Sequence, residues 1–103
     1  MNVIARSRLA AFWSRHPRSE GPLQAWYLLA SRATWTGPQE IKRAFGTTVD
    51  FIGDNRAIFD IGGNKYRLIV HFSYKFKSCQ IKFVGTHREY DKIDPLTVEI
   101  ARK

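Results

Sequence analysis

Residues 56–74 read Arg-Ala-Ile-Phe-Asp-Ile-Gly-Gly-Asn-Lys-Tyr-Arg-Leu-Ile-Val-His-Phe-Ser-Tyr, two alternating runs separated by a turn. In the first run Ala57, Phe59 and Ile61 alternate with Arg56, Ile58 and Asp60. Gly62-Gly63-Asn64 supplies the residue types that tolerate the backbone of a tight hairpin turn. In the second run Tyr66, Leu68, Val70, Phe72 and Tyr74 share one face, because side chains alternate with period two along a strand. Lys65, Arg67, Ile69, His71 and Ser73 share the other. A polar turn over 75–78 leads to a third run, in which Cys79, Ile81 and Phe83 alternate with Gln80, Lys82 and Val84. These runs predict an antiparallel sheet with one apolar face and one polar, basic face.

Upstream, the period changes to that of helices. Leu9, Phe12, Trp13 and His16 follow an i, i+3, i+4, i+7 spacing, and Pro17 stops the helix they define. Ser19 is a candidate N-cap and Pro22 suits a first turn, after which Leu23, Trp26, Tyr27, Ala30 and Ala33 form a second stripe. The spacing of Thr36-Gly37-Pro38-Gln39 fits a capping box, with Ile41 and Phe45 as an apolar pair, Lys42 and Arg43 facing out and Gly46 ending a short third helix. An irregular connection is expected over 46–53. Since helices and sheet each have an apolar side to bury, the expected fold is α+β, with N-terminal helices packed on one face of an antiparallel β-sheet. No repeat, low-complexity segment or long linker divides the chain, so 1–103 is expected to form a single domain. The helical spacing of the tryptophans assigns them to the core.

Seventeen Lys and Arg against nine Asp and Glu give a formal charge of +8, which directs attention to a polyanionic partner. Both halves are basic, so no detachable tail accounts for it. The one cysteine, Cys79, excludes an internal disulfide and a Cys-rich zinc site and fits a reducing compartment. It is expected as a buried strand residue, with a reactive thiol beside Lys77 and Lys82 as the alternative. The absence of a long apolar run and of a secretory leader in 1–18 makes the cytoplasm the expected location.

The string Phe59-Asp60-Ile61-Gly62-Gly63-Asn64-Lys65-Tyr66-Arg67-Leu68-Ile69, followed by Lys82-Phe83-Val84-Gly85-Thr86-His87-Arg88-Glu89-Tyr90-Asp91, closely resembles the signature of HigB-type toxins in the RelE-like superfamily. Either segment alone is weak, because Gly-Gly-Asn is a common turn and His near Tyr recurs by chance. Together, and with the same order of helices and sheet, they cover nearly the whole chain. The resemblance implies a RelE-like fold and a metal-independent ribonuclease, with no cofactor, that cuts mRNA, commonly on the ribosome. It also implies neutralisation by a cognate helix-turn-helix antitoxin of the HigA kind.

Such cleavage uses the ribose 2′-OH as nucleophile, so the protein must align that oxygen, stabilise charge on the phosphate and protonate the departing 5′ oxygen. Arg67 matches the arginine of the family's Tyr-Arg-Leu segment and is expected to stabilise that charge; the alternative is a structural salt bridge with Asp60. His87 is the candidate general acid, since imidazole is a side chain suited to proton transfer at neutral pH. Tyr90 would share a helical face with His87, to stack on a base, assist proton transfer, or simply close the core. Lys65, Lys82 and Arg88 are candidates for phosphate contact, with solvated surface charge as the alternative. His71 is a lower-ranked base, Glu89 and Asp91 are possible bases, and the general base stays open. Phe76, Tyr74 and Tyr90 are candidates for holding splayed bases. The competing function is a non-catalytic RNA- or ribosome-binding module, which needs the basic face but not His87 and Tyr90 in register. A DNA-binding regulator has less support, since no basic recognition helix is evident.

Overall fold

A computed structural model of the chain, which describes residues 1–99, builds a five-stranded sheet from β1 (Asn2–Ile4), β2 (Val49–Ile52), β3 (Arg56–Ile61), β4 (Tyr66–Ser73) and β5 (Ser78–Thr86). The strand order is β1-β5-β4-β3-β2; β1 runs parallel to β5 and every other pairing is antiparallel. Helices α1 (Arg6–Arg15), α2 (Glu20–Arg32) and α3 (Pro38–Phe45) precede β2, and the short α4 (His87–Tyr90) follows β5. The α+β class and the helix-on-sheet arrangement are as expected.

The β3–β4 hairpin forms at Gly62-Gly63, both with φ of 64°, a backbone region that costs an L side chain and suits glycine. The core lies between the helices and the first sheet face. Leu9 and Phe12 of α1, Leu23, Trp26 and Ala30 of α2, and Ile41 of α3 are buried there. Facing them are Ala57, Phe59 and Ile61 of β3, Leu68, Val70 and Phe72 of β4, and Cys79 and Ile81 of β5. Phe59 is central, with ring centroids 4.8 Å from Phe45, 5.5 Å from Trp26 and 6.3 Å from Phe72. Trp26 of α2 is buried and Trp13 of α1 packs against the same cluster, as the helical spacing requires, whereas Trp35 is buried from the loop between α2 and α3, where no helical spacing applies.

Several local expectations need correction. The connection over 46–53 is not irregular throughout: a 3-10 turn at Gly46–Thr48 leads into β2, whose Val49 is buried against Phe59 across the ladder. Val3 and Ile4, for which the sequence predicts no element, lie in a strand whose three residues are too few to show a period. The capping box before α3 does not form. Gly37 takes the cap position, and Thr36 instead bonds to Glu40 through both its backbone N–H and its hydroxyl. That contact lowers the Glu40 carboxyl below its ordinary pKa. Ser19 does not cap α2 with its side chain, since its hydroxyl donates to the His16 carbonyl at 2.7 Å within the 3-10 turn Pro17–Ser19.

The largest correction is a register shift in β5. Val70 pairs with Ile81 but Ile69 pairs with Phe83, so Lys82 is an extra, bulged residue. One inserted residue inverts the alternation beyond it. Val84, not Phe83, therefore packs on the core, and Phe83 joins the second sheet face. That face is also less polar than expected. Ile58 and Ile69 are buried on it, and the segment following α4 returns across it, tied down at Pro95 and Val98 by Arg56.

Candidate functional site

The second sheet face brings Arg67, Asp60, Phe83 and Tyr90 together at the end of the β3–β4 hairpin, and His87 stands three residues before Tyr90 on α4. Asp60 and Arg67 are direct partners across the hairpin, and their side chains form an ion pair. Strand register puts them there, because the turn places Asp60 opposite Arg67 just as it places Ile61 opposite Tyr66. Arg67 also lies under the Tyr90 ring, its guanidinium carbon 5.4 Å from the centroid, in cation–π contact. Its Nε is buried without a partner, leaving one donor of the guanidinium unused.

β5 ends where α4 begins, and the junction is built by a true capping box. The Thr86 hydroxyl accepts from the Glu89 N–H at 3.2 Å, while the Glu89 carboxylate accepts from the Thr86 N–H at 2.8 Å. This fixes the first turn of α4 and so the directions of His87 and Tyr90. His87 Nε2 lies 3.2 Å from Asn64 Oδ1 in the hairpin turn, which orients the imidazole. Tyr90 meets Phe83 with ring centroids 6.3 Å apart. Gly85 faces Arg67 across the ladder, and a Cβ there would overlap the Phe83 ring, so the absence of a side chain lets Phe83 lie beside the site.

Arg67 and Tyr90 are thus in contact, His87 lies on the same short helix as Tyr90 and meets Asn64, and Arg67 also makes the salt bridge with Asp60 named as its alternative. Arg88 is exposed on α4, next to the site. Lys65 is exposed in the turn and does not begin β4 as the alternation suggested. Lys82 does not join Lys65 and Arg67 either. As the bulged residue, it lines a groove between β5 and α1 and bonds Glu99 at 2.7 Å. Glu89 is committed to the capping box, and Asp91 is the exposed residue ending α4. His71 pairs with Arg56, four residues along β4 from Arg67, about 13 Å away at strand spacing. Tyr74 stacks on Phe72, and Phe76 sits in the exposed β4–β5 turn, at the opposite end of β4 from Arg67; only Tyr90 of the three aromatics is at the site. Cys79 is buried, and desolvation pushes its thiol up to about 11, which excludes the reactive role. Among the described residues, no three His, Cys, Asp or Glu side chains gather as a metal site requires.

Sequence reasoning missed Asn64 as a partner of His87 and Arg56 as a buried cation. Asn64 carried a signal only as a turn residue. Arg56 carried none, because it sits at an alternating position that reads as solvent-facing.

With this geometry in place, a family model described as "HigB_toxin, RelE-like toxic component of a toxin-antitoxin system" matches residues 19–93. The chain belongs to the HigB toxin family. The matched span includes α2, the β3–β4 hairpin and α4, and so every member of the Arg67 cluster. Among curated proteins the chain is similar to the mRNA interferase HigB of Escherichia coli O6:H1, 26% identical over 94 residues, covering 90% of this chain and 91% of that protein. It is also 26% identical over 92 residues to the mRNA interferase toxin HigB of Escherichia coli K12 and to the mRNA interferase HigB of Shigella flexneri, covering 88% of each chain.

Proposed function

We propose that this chain is the toxin of a toxin-antitoxin pair and an endoribonuclease that cleaves mRNA on the ribosome. The observation that carries the reading is the position of Arg67, held between the Asp60 carboxylate and the Tyr90 ring with His87 on the adjoining turn. A merely RNA-binding face has no need of an imidazole set in register beside a clamped guanidinium.

The 2′-oxygen attacks the adjacent phosphorus, forming an O2′–P bond as the P–O5′ bond breaks. Arg67 stabilises the additional negative charge on the phosphate, where a fixed donor already in place is worth most. His87 protonates the leaving 5′ oxygen, and the 2′-OH proton passes to Asp60, the carboxylate in contact with Arg67. Tyr90 offers its ring to a base next to the scissile bond. The products are a 2′,3′-cyclic phosphate and a 5′-hydroxyl end. Lys65, exposed in the β3–β4 turn, and Arg88, exposed on α4, contact flanking phosphates. The partner that neutralises the toxin is a helix-turn-helix antitoxin of the HigA kind, and the site of action is the cytoplasm.

The test is incubation of the purified protein with translating ribosomes in the presence of a chelator, followed by mapping of message ends. New ends that appear without added metal support the reading. Tight ribosome binding with no new ends would establish the binding-module alternative instead.

A further inference from the structure

Away from Arg67, the same sheet face holds a second cationic position that is occupied by the protein's own carboxylate. Arg56 is only 4% exposed, yet its guanidinium reaches the segment that crosses the face. Nη1 donates to the carbonyls of Pro95 at 3.1 Å and Val98 at 2.8 Å, and Nη2 donates to Glu99 Oε2 at 3.0 Å. From the other side, Lys82 Nζ donates to Glu99 Oε1 at 2.7 Å. Each oxygen of one carboxylate is therefore held by a different cation.

The environment is built for an anion. Lys82 is bulged out of β5 into a groove of about 190 Å³ that is also lined by Arg8 and Arg15 of α1. Arg56 keeps its buried Nε without a partner. The Glu99 side chain, by contrast, is 60% exposed and held by these two charge-assisted hydrogen bonds. Two non-bridging phosphate oxygens make the same demand on a pair of cations as two carboxylate oxygens do, and guanidinium suits either group. Arg56 faces His71 in the ladder, four residues along β4 from Arg67, so this position lies about 13 Å from the cluster at strand spacing.

We propose that Arg56 and Lys82 form a second phosphodiester subsite, which takes a phosphate further along the RNA strand, and that Glu99 is its resident carboxylate, displaced when RNA binds. The inference rests on the RNA-cleaving function proposed above. It gives the segment after α4 a role as a competitor for RNA, so that binding requires exchange of one anion for another.

The test measures binding of a short fluorescein-labelled 2′-O-methyl RNA, which lacks the attacking hydroxyl, by anisotropy across a salt series. Glu99→Gln, with Glu99→Ala as a second variant, is expected to bind roughly threefold more tightly or better, because no resident carboxylate has to be displaced, with a salt slope close to that of the unsubstituted protein, since the same phosphates are contacted in both. Asp50→Asn removes the same charge from exposed β2 and should leave both quantities as in the unsubstituted protein. Adding Lys82→Gln to Glu99→Gln should cancel the gain. Thermal melts verify that each variant is folded. An unchanged or weakened affinity in both Glu99 variants, or an equal gain from Asp50→Asn, would overturn the subsite while RNA cleavage by the unsubstituted protein still upheld the function. Failure of the unsubstituted protein both to bind the RNA and to cut ribosomal message would overturn the function and the subsite with it.

Discussion

Asp60 and Arg67 face each other across the β3–β4 hairpin and are ion-paired, so the guanidinium assigned to the phosphate is oriented before any RNA arrives. A positioned donor of this kind stabilises developing charge without reorganising. Arg67→Ala should lower the single-turnover cleavage rate by about 10²–10³-fold. Asp60→Asn should lower the same rate by about 10²-fold or more while leaving affinity for an uncleavable RNA within roughly twofold. Loss of affinity without loss of rate would mean that Asp60 only holds Arg67 in place.

Asn64 reaches across from the hairpin turn to His87, 3.2 Å from its Nε2. Asn64→Gly, which suits the turn backbone at φ of 76°, should leave the fold intact and should reduce cleavage through a misdirected imidazole. His87→Ala should cost about 10²–10⁴-fold, the usual range for a general acid. Replacing the scissile 5′ oxygen by sulfur, a leaving group that needs no proton, should restore most of the His87→Ala loss and little of the Arg67→Ala loss. Equal rescue of both variants would contradict the assignment of the acid.

Gly85 supports the site indirectly. Gly85→Ala would push the Phe83 ring aside, and Phe83 meets Tyr90, which covers Arg67. The expected outcome is reduced cleavage with core packing preserved, seen as an unchanged near-UV spectrum of the buried tryptophans. Wild-type cleavage by this variant would show that the position of Phe83 does not matter.

The thiol of Cys79 supplies a pH dependence with a definite sign. Burial raises it from the ordinary 9.0 to about 11, so the folded protein keeps the proton over a range in which the unfolded chain loses it. Its contribution to stability is full below pH 9 and declines as the pH rises towards 11. A chemical denaturation series should show this decline, and Cys79→Ala should flatten it. A thiol reagent at pH 8 should leave the native protein unlabelled and label it after denaturation.

Phe59 tests the core. It touches Trp26, Phe45 and Phe72 by ring contacts from two helices and a neighbouring strand, so Phe59→Ala should cost about 3–5 kcal/mol in a denaturant titration. A loss below about 1 kcal/mol would place the centre of the core elsewhere.

Much of this was legible in the sequence where one period ran unbroken. The alternation of 56–74 identified the hairpin and put Arg67 on the face opposite Leu68, and the two helical stripes supplied the layer that covers the sheet. What stayed hidden involved breaks in period or partners distant along the chain. The bulge at Lys82 adds a residue without changing composition, so Phe83 and Val84 exchange faces with no local sign. β1 is too short to alternate, and Val49 was absorbed into a loop-like stretch beginning at Gly46. Arg56 looks solvent-facing because its burial depends on residues 95–99, about forty positions later. In the site, motif resemblance marked Arg67, His87 and Tyr90, but it named no partner for His87, and the register made the Asp60 contact visible only as a salt bridge.

The central claim is that this face cleaves RNA through the 2′-OH with Arg67 and His87 as the acting groups. The most direct measurement is the chemistry of the RNA ends left by the unsubstituted protein and by the Arg67→Ala/His87→Ala double variant, with chelator present and folding verified by thermal melts. The account predicts 2′,3′-cyclic phosphate and 5′-hydroxyl ends from the former and essentially none from the folded double variant. Undiminished cleavage by the double variant, or ends bearing 5′-phosphates, would contradict it.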